Sequence, residues 1–90
     1  MEKKVVKLII RNKLGLHARA AATLVKLTNK FSSKIEIEKD GQSINGKSIM
    51  GVMMLAAAKG NSVTVTATGT DSESAISAIQ ELVHNKFGEE

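Results

Sequence analysis

His17 stands in the run Gly15-Leu16-His17-Ala18-Arg19-Ala20-Ala21, where a β-branched stretch gives way to strong helix formers. A neutral imidazole is a nucleophile, and the positive end of a helix opposes imidazolium and so favours that neutral form. The usual N-cap residues Ser, Thr, Asp and Asn are missing from positions 15 to 18. The first helical amides are therefore expected to lack a side-chain acceptor and to be open to an anion. The backbone of Ala18 and Arg19 would supply those donors, and the Arg19 guanidinium offers a bidentate fork to a phosphoryl group on His17. One arginine at an exposed site suits a carrier, which must hold phosphate without trapping it. The plain alternative is a surface histidine in a loop. His84 has neither a helix start nor an arginine fork beside it and receives no role.

A second segment, Gly41-Gln42-Ser43-Ile44-Asn45-Gly46-Lys47-Ser48, satisfies the G-x-x-x-x-G-K-[ST] pattern of a nucleotide-binding P-loop. Its context argues against that function. A P-loop follows a buried parallel strand, whereas Lys34-Ile35-Glu36-Ile37-Glu38 alternates with glutamates and Asp40-Gly41 signals a tight hairpin turn. Ser48 has a separate interest, because a hydroxyl at a helix start caps it and a phosphate placed there meets a favourable dipole. A plain N-cap serine is the structural alternative. Ile49, Met50, Met53 and Met54 crowd the helix that follows. Val52 and Met53 are expected in the core, with Ile49 and Leu55 also candidates for the inner face, and the rest form an adaptable apolar patch.

The elements that must position these residues follow from periodicity. Val5, Leu8 and Ile10 indicate a first strand, and Ala21, Leu24, Val25, Thr28 and Phe31 fall on one face of a first helix starting at Ala18. Two strands in a hairpin, a short helix from Ser48, a strand over Val63-Thr64-Val65-Thr66-Ala67 and a last helix carrying Ile76, Ile79, Leu82 and Val83 complete the order. Thr70 and Glu73 sit at capping-box spacing before that last helix, and Gly88 is a candidate stop. The order β-α-β-β-α-β-α predicts an α+β fold: an open-faced β-sandwich, with a four-stranded antiparallel sheet and three helices on one face.

Ninety residues make a single domain over 1–90, too small for a large enclosed active site. Without cysteine there is no disulfide framework, thiolate metal site or cysteine nucleophile, and no metal or cofactor is expected. The apolar stretch near the start, Leu8-Ile9-Ile10, is too short for a signal segment or a membrane span, so a cytoplasmic protein is expected. Net charge is +4: residues 1–45 hold ten Lys/Arg against four Asp/Glu, and residues 46–90 three against five. That asymmetry suits an acidic partner surface. Nucleic acid is disfavoured, since Phe31 and Phe87 alone give no ladder of rings for base stacking.

Gly15-Leu16-His17-Ala18-Arg19 and Lys47-Ser48-Ile49-Met50-Gly51-Val52-Met53 together resemble the histidine and serine phosphorylation segments of the HPr family, phosphocarriers of the bacterial phosphoenolpyruvate-dependent sugar phosphotransferase system. The likeness covers essentially the whole chain. It implies a monomer that takes phosphate on His17 from enzyme I and gives it to enzyme IIA components, without turnover of its own, with Arg19 as the active-centre arginine. It further implies regulation at Ser48 by HPr kinase/phosphorylase, and a docking surface including Leu16, Ala20, Lys47, Ile49, Met50 and Met53. Ala20 departs from the proline common in relatives, and Leu14, Met54 and Ala56-Ala57 are further departures. A regulatory HPr-like binding module without sugar transport is the alternative function, and nucleotide binding at Gly41–Ser48 the more remote one. No part is assigned to the acidic tail Glu89-Glu90.

Overall fold

A computed structural model describes residues 2–89, so Glu90 of the acidic tail lies outside the described residues. Strand β1 (Lys3–Ile9) leads to helix α1 (Ala18–Thr28), hairpin strands β2 (Lys34–Lys39) and β3 (Gln42–Asn45), helix α2 (Ile49–Met54), strand β4 (Ser62–Thr68) and helix α3 (Ser72–His84). The strands form one antiparallel sheet in the order β1-β4-β2-β3. The expected open-faced α+β fold is thus what the chain adopts.

Alternation explains the two faces. Ile35 and Ile37 of β2 and Val63, Val65 and Ala67 of β4 are buried toward the helices, while the intervening Lys, Glu, Thr and Ser residues face the open side. Against that face pack Ala20, Ala21, Leu24 and Val25 of α1, Val52 of α2, and Ala75, Ile79 and Val83 of α3. Each fully buried isoleucine or valine contributes about 1.5–3 kcal/mol of transfer free energy, so register is strongly specified here.

Tight hydrogen bonding holds the loops. Asp40 and Gly41 both take positive φ, 53° and 84°, in the two-residue turn between β2 and β3. Residues 42–45 of the P-loop-like segment are therefore strand, and the Lys47 ammonium donates to the Phe31 carbonyl at 2.6 Å. That segment has no phosphate cradle. Thr28, fully buried, donates its hydroxyl proton to the Gly46 carbonyl at 2.8 Å and shares it with the Val25 carbonyl at 3.2 Å, tying the end of α1 to the loop before α2.

Two sequence expectations at helix ends are corrected. The α3 cap is Asp71, not Thr70, and its carboxylate makes no capping bond. It turns instead to the turn before β2, accepting from the amides of Ser32 and Ser33, both at 2.9 Å, and from both hydroxyls. The Ser33 hydroxyl above all, with the two amides, holds the Asp71 carboxyl at about 2, below its ordinary 3.8. Helix α3 ends at His84, short of the expected stop at Gly88, and a separate short turn, Lys86–Gly88, places Phe87 in the core with a left-handed φ of 57°. Two residues beyond that ring, Glu89 reaches His17 at the start of α1.

Candidate functional site

His17 is itself the N-cap of α1: its backbone is extended, and its Nδ1 accepts from the Arg19 amide at 3.3 Å. The expected uncapped helix start is therefore corrected, because an unprotonated imidazole nitrogen accepts a helix amide much as a hydroxyl or carboxylate oxygen does. The consequence is specific. Nδ1 faces the helix amides, so anything bonded to Nδ1 sits where those donors point. Among the described residues the amides of Ala18 and Ala20 have no acceptor, and no acidic residue lies in the first turn.

The loop before α1 sets the position of this ring. Gly15 has φ +67° and lies so close to the chain of Ala57 that a β-carbon would fall 2.4 Å from its carbonyl oxygen. That carbonyl accepts from the Leu16 amide at 2.9 Å. Glycine is required twice over, for the left-handed turn and for the approach. Asn12, fully buried, donates through Nδ2 to the Gly15 carbonyl at 2.7 Å and closes the loop from within.

On the far side of the ring, Nε2 lies 2.7 Å from Glu89 Oε2, and the other carboxylate oxygen accepts from Asn12 Nδ2 at 3.0 Å. The Asn12 amide holds the Glu89 carboxyl below the usual range, aided by His17 and the charge of Arg19, while desolvation pushes the other way. Neither Asn12 nor Glu89 was singled out from sequence; no local pattern relates residue 12 or 89 to residue 17. Arg19 is exposed, and its guanidinium has no hydrogen bond or ion pair among the described residues. A shallow cavity of about 430 Å³ opens beside it, lined by Lys13, Leu14, Arg19, Gly88 and Glu89. Its lining carries two cations, Lys13 and Arg19, and one carboxylate, Glu89.

Ser48 caps α2, accepting from the Gly51 amide at 3.0 Å. Of the residues expected on a docking surface, Ile49, Met50 and Met53 are exposed at 43%, 74% and 42%, and Lys47 is half-buried. Two assignments are corrected: Leu16 and Ala20 are buried at 5% and 0% exposure, because the tight Gly15 turn folds Leu16 under the loop and Ala20 lies on the core face of α1. Met53 and Ile49 do not join the core as expected, since six residues give α2 room to bury only Val52 before Leu55 closes the turn. Met54, on the same helix, is 64% exposed, and Leu14, in the loop before α1, is 67% exposed. Among the described residues no cluster of three or more His, Cys, Asp or Glu could hold a metal, and no helix is long and apolar enough to cross a membrane.

Residues 4–85 match the family model described as the PTS HPr component phosphorylation site. The chain is 49% identical over 80 residues to the phosphocarrier protein HPr of Cupriavidus necator, covering 89% of this chain and 90% of that protein. A crystal structure of HPr-C-His from Thermoanaerobacter tengcongensis superposes with a TM-score of 0.93 at 52% identity, covering 97% of this chain and 98% of that one. An HPr dimer from the same organism gives a TM-score of 0.78 at 51% identity, covering 93% and 97%, so the likeness does not carry the expectation of a monomer. With motifs, fold and relatives in agreement over nearly its whole length, the chain belongs to the HPr family, the phosphoryl carriers of the phosphotransferase system.

Proposed function

We propose that His17 is the residue that carries the phosphoryl group, bonded through Nδ1, and that this protein accepts it in the cytoplasm from phosphorylated enzyme I and donates it to enzyme IIA components. The observation that carries this reading is the placement of Nδ1 at the N-terminus of α1, 3.3 Å from the Arg19 amide. A phosphoryl group there takes over that amide and meets the Ala18 amide and the positive helix end. Arg19, exposed and unengaged among the described residues, closes on its oxygens. Ile49, Met50 and Met53, with Lys47 beside them, serve as the docking surface, an adaptable apolar patch that accommodates more than one partner.

Ser48 is the regulatory site in this reading. Its hydroxyl starts α2 beside the docking methionines, so phosphorylation by HPr kinase/phosphorylase adds charge to the surface on which partners sit. Incubation with enzyme I and phosphoenolpyruvate tests the central claim: an acid-labile phosphate should appear on the wild-type chain and be absent from His17→Ala. Labelling of that variant at another residue would overturn it.

A further inference from the structure

We propose that Glu89 is a positioning residue that fixes the His17 ring in the tautomer with its proton on Nε2 and its lone pair on Nδ1, an inference that rests on the phosphocarrier reading of His17. The argument begins in the core. Because the Gly15 carbonyl can only accept, Asn12 must turn its NH₂ group toward it at 2.7 Å, and the same NH₂ meets Glu89 Oε1 at 3.0 Å. The carboxylate is thereby anchored on a fully buried amide, and its side chain is only 13% exposed.

The second oxygen of Glu89, 2.7 Å from Nε2, can only accept, so Nε2 must carry a proton. Across the ring the Arg19 amide can only donate, so Nδ1 must offer its lone pair. Two bonds on opposite sides of the imidazole thus specify one tautomer. The Nδ1 lone pair attacks phosphorus, the Nδ1–P bond forms, and the bond from phosphorus to the donor's leaving atom breaks with its electron pair staying on the donor. Positive charge then develops on the ring, and the carboxylate already faces the Nε2–H that shares it. In the reverse sense the same contact steadies the ring as phosphate leaves for the next acceptor.

Glu89→Gln separates this role from simple packing, because it keeps shape but leaves one acceptor for two donors. The buried Asn12 NH₂ retains the carboxamide oxygen, and the carboxamide NH₂ then points at Nε2. That arrangement favours the opposite tautomer, with the proton on the attacking nitrogen. Glu89→Ala leaves the choice to water and the Arg19 amide, which still favour a free Nδ1. We expect initial phosphate uptake from enzyme I to be slowed about tenfold or more by Glu89→Ala through loss of the facing carboxylate, and severalfold further by Glu89→Gln, which also favours the wrong tautomer. In the unphosphorylated proteins, ¹⁵N NMR at a pH where the ring is neutral should find Nδ1 unprotonated in wild type and substantially protonated in Glu89→Gln. An unchanged tautomer in Glu89→Gln, or a slower Glu89→Ala than Glu89→Gln, overturns the proposal. Because the tautomer is read without phosphate, failure of His17 to be labelled would count against the carrier reading and not against the lock.

Discussion

Gly15→Ala tests whether the turn before α1 is what sets His17 in place. The new β-carbon would lie 2.4 Å from the Ala57 carbonyl oxygen and 2.9 Å from Ala58 Cα, at a residue whose φ is +67°. Left-handed backbone costs alanine about 1–2 kcal/mol. Both close atoms are backbone, so relief requires the two segments to part, which loosens the Leu16 amide bond to Ala57 at 2.9 Å. A buried bond lost in this way costs about 1–3 kcal/mol. The reduced freedom of the unfolded chain offsets about 0.4–1 kcal/mol. The balance is about 1–5 kcal/mol, equivalent to a fall in Tm of about 4–40 °C for a domain of this size. Thermal denaturation followed by circular dichroism measures it, and phosphate uptake should be slower even well below the variant's Tm, because His17 is displaced from the α1 amides. A fall of less than about 3 °C would refute the steric reasoning, and unaltered uptake in a destabilised variant would refute the link from the turn to His17.

Arg19→Ala should leave Tm within about 3 °C and slow phosphate transfer about 10–100-fold, the loss of one charge-assisted contact to the phosphoryl group; a wild-type rate in rapid-quench kinetics would remove Arg19 from the site. Ser48→Asp retains an equally good cap for α2 and should change Tm by no more than a few degrees while slowing uptake from enzyme I; an unaltered rate would argue against regulation by charge at this surface. Asp71 is ionised down to about pH 2 in the folded protein against an ordinary 3.8, so its contribution to stability is complete above about pH 4 and is lost as pH falls through about 2. Asp71→Asn should therefore unfold at lower temperature than wild type at pH 7. That difference should shrink between about pH 4 and pH 2, and a difference independent of pH in thermal melts would rule out the carboxylate's charge as its source.

Local patterns alone sufficed for the framework. Alternation in Lys34–Glu38 and Val63–Ala67, the Asp40-Gly41 turn and the helical spacing of Ala21, Leu24, Val25 and Thr28 each act over a few residues, and neighbours along the chain are what they report. The same short range revealed His17 and Arg19 on one helix start, and Ser48 at another. Burial could not be read so directly. Leu16 and Ala20 lie on either side of His17 in sequence yet are buried in the core, while Met53, apolar and placed at helical spacing, remains outside. Their fates depend on how α1 and α2 seat against the sheet.

What only the tertiary structure decided are the partners that span the chain: Asp71 on the amides of Ser32 and Ser33, Ala57 against Gly15, and above all Asn12 and Glu89 behind His17. Glu89 and His17 lie 72 positions apart, and no propensity or spacing rule links them. The contact exists because Phe87 must bury its ring and Gly15 must turn left-handed, and each side chain is then delivered by packing that the intervening residues settle jointly. Sequence alone therefore placed His17 at a helix start beside Arg19. The fold decided that its Nδ1 faces the α1 amides and its Nε2 faces Glu89.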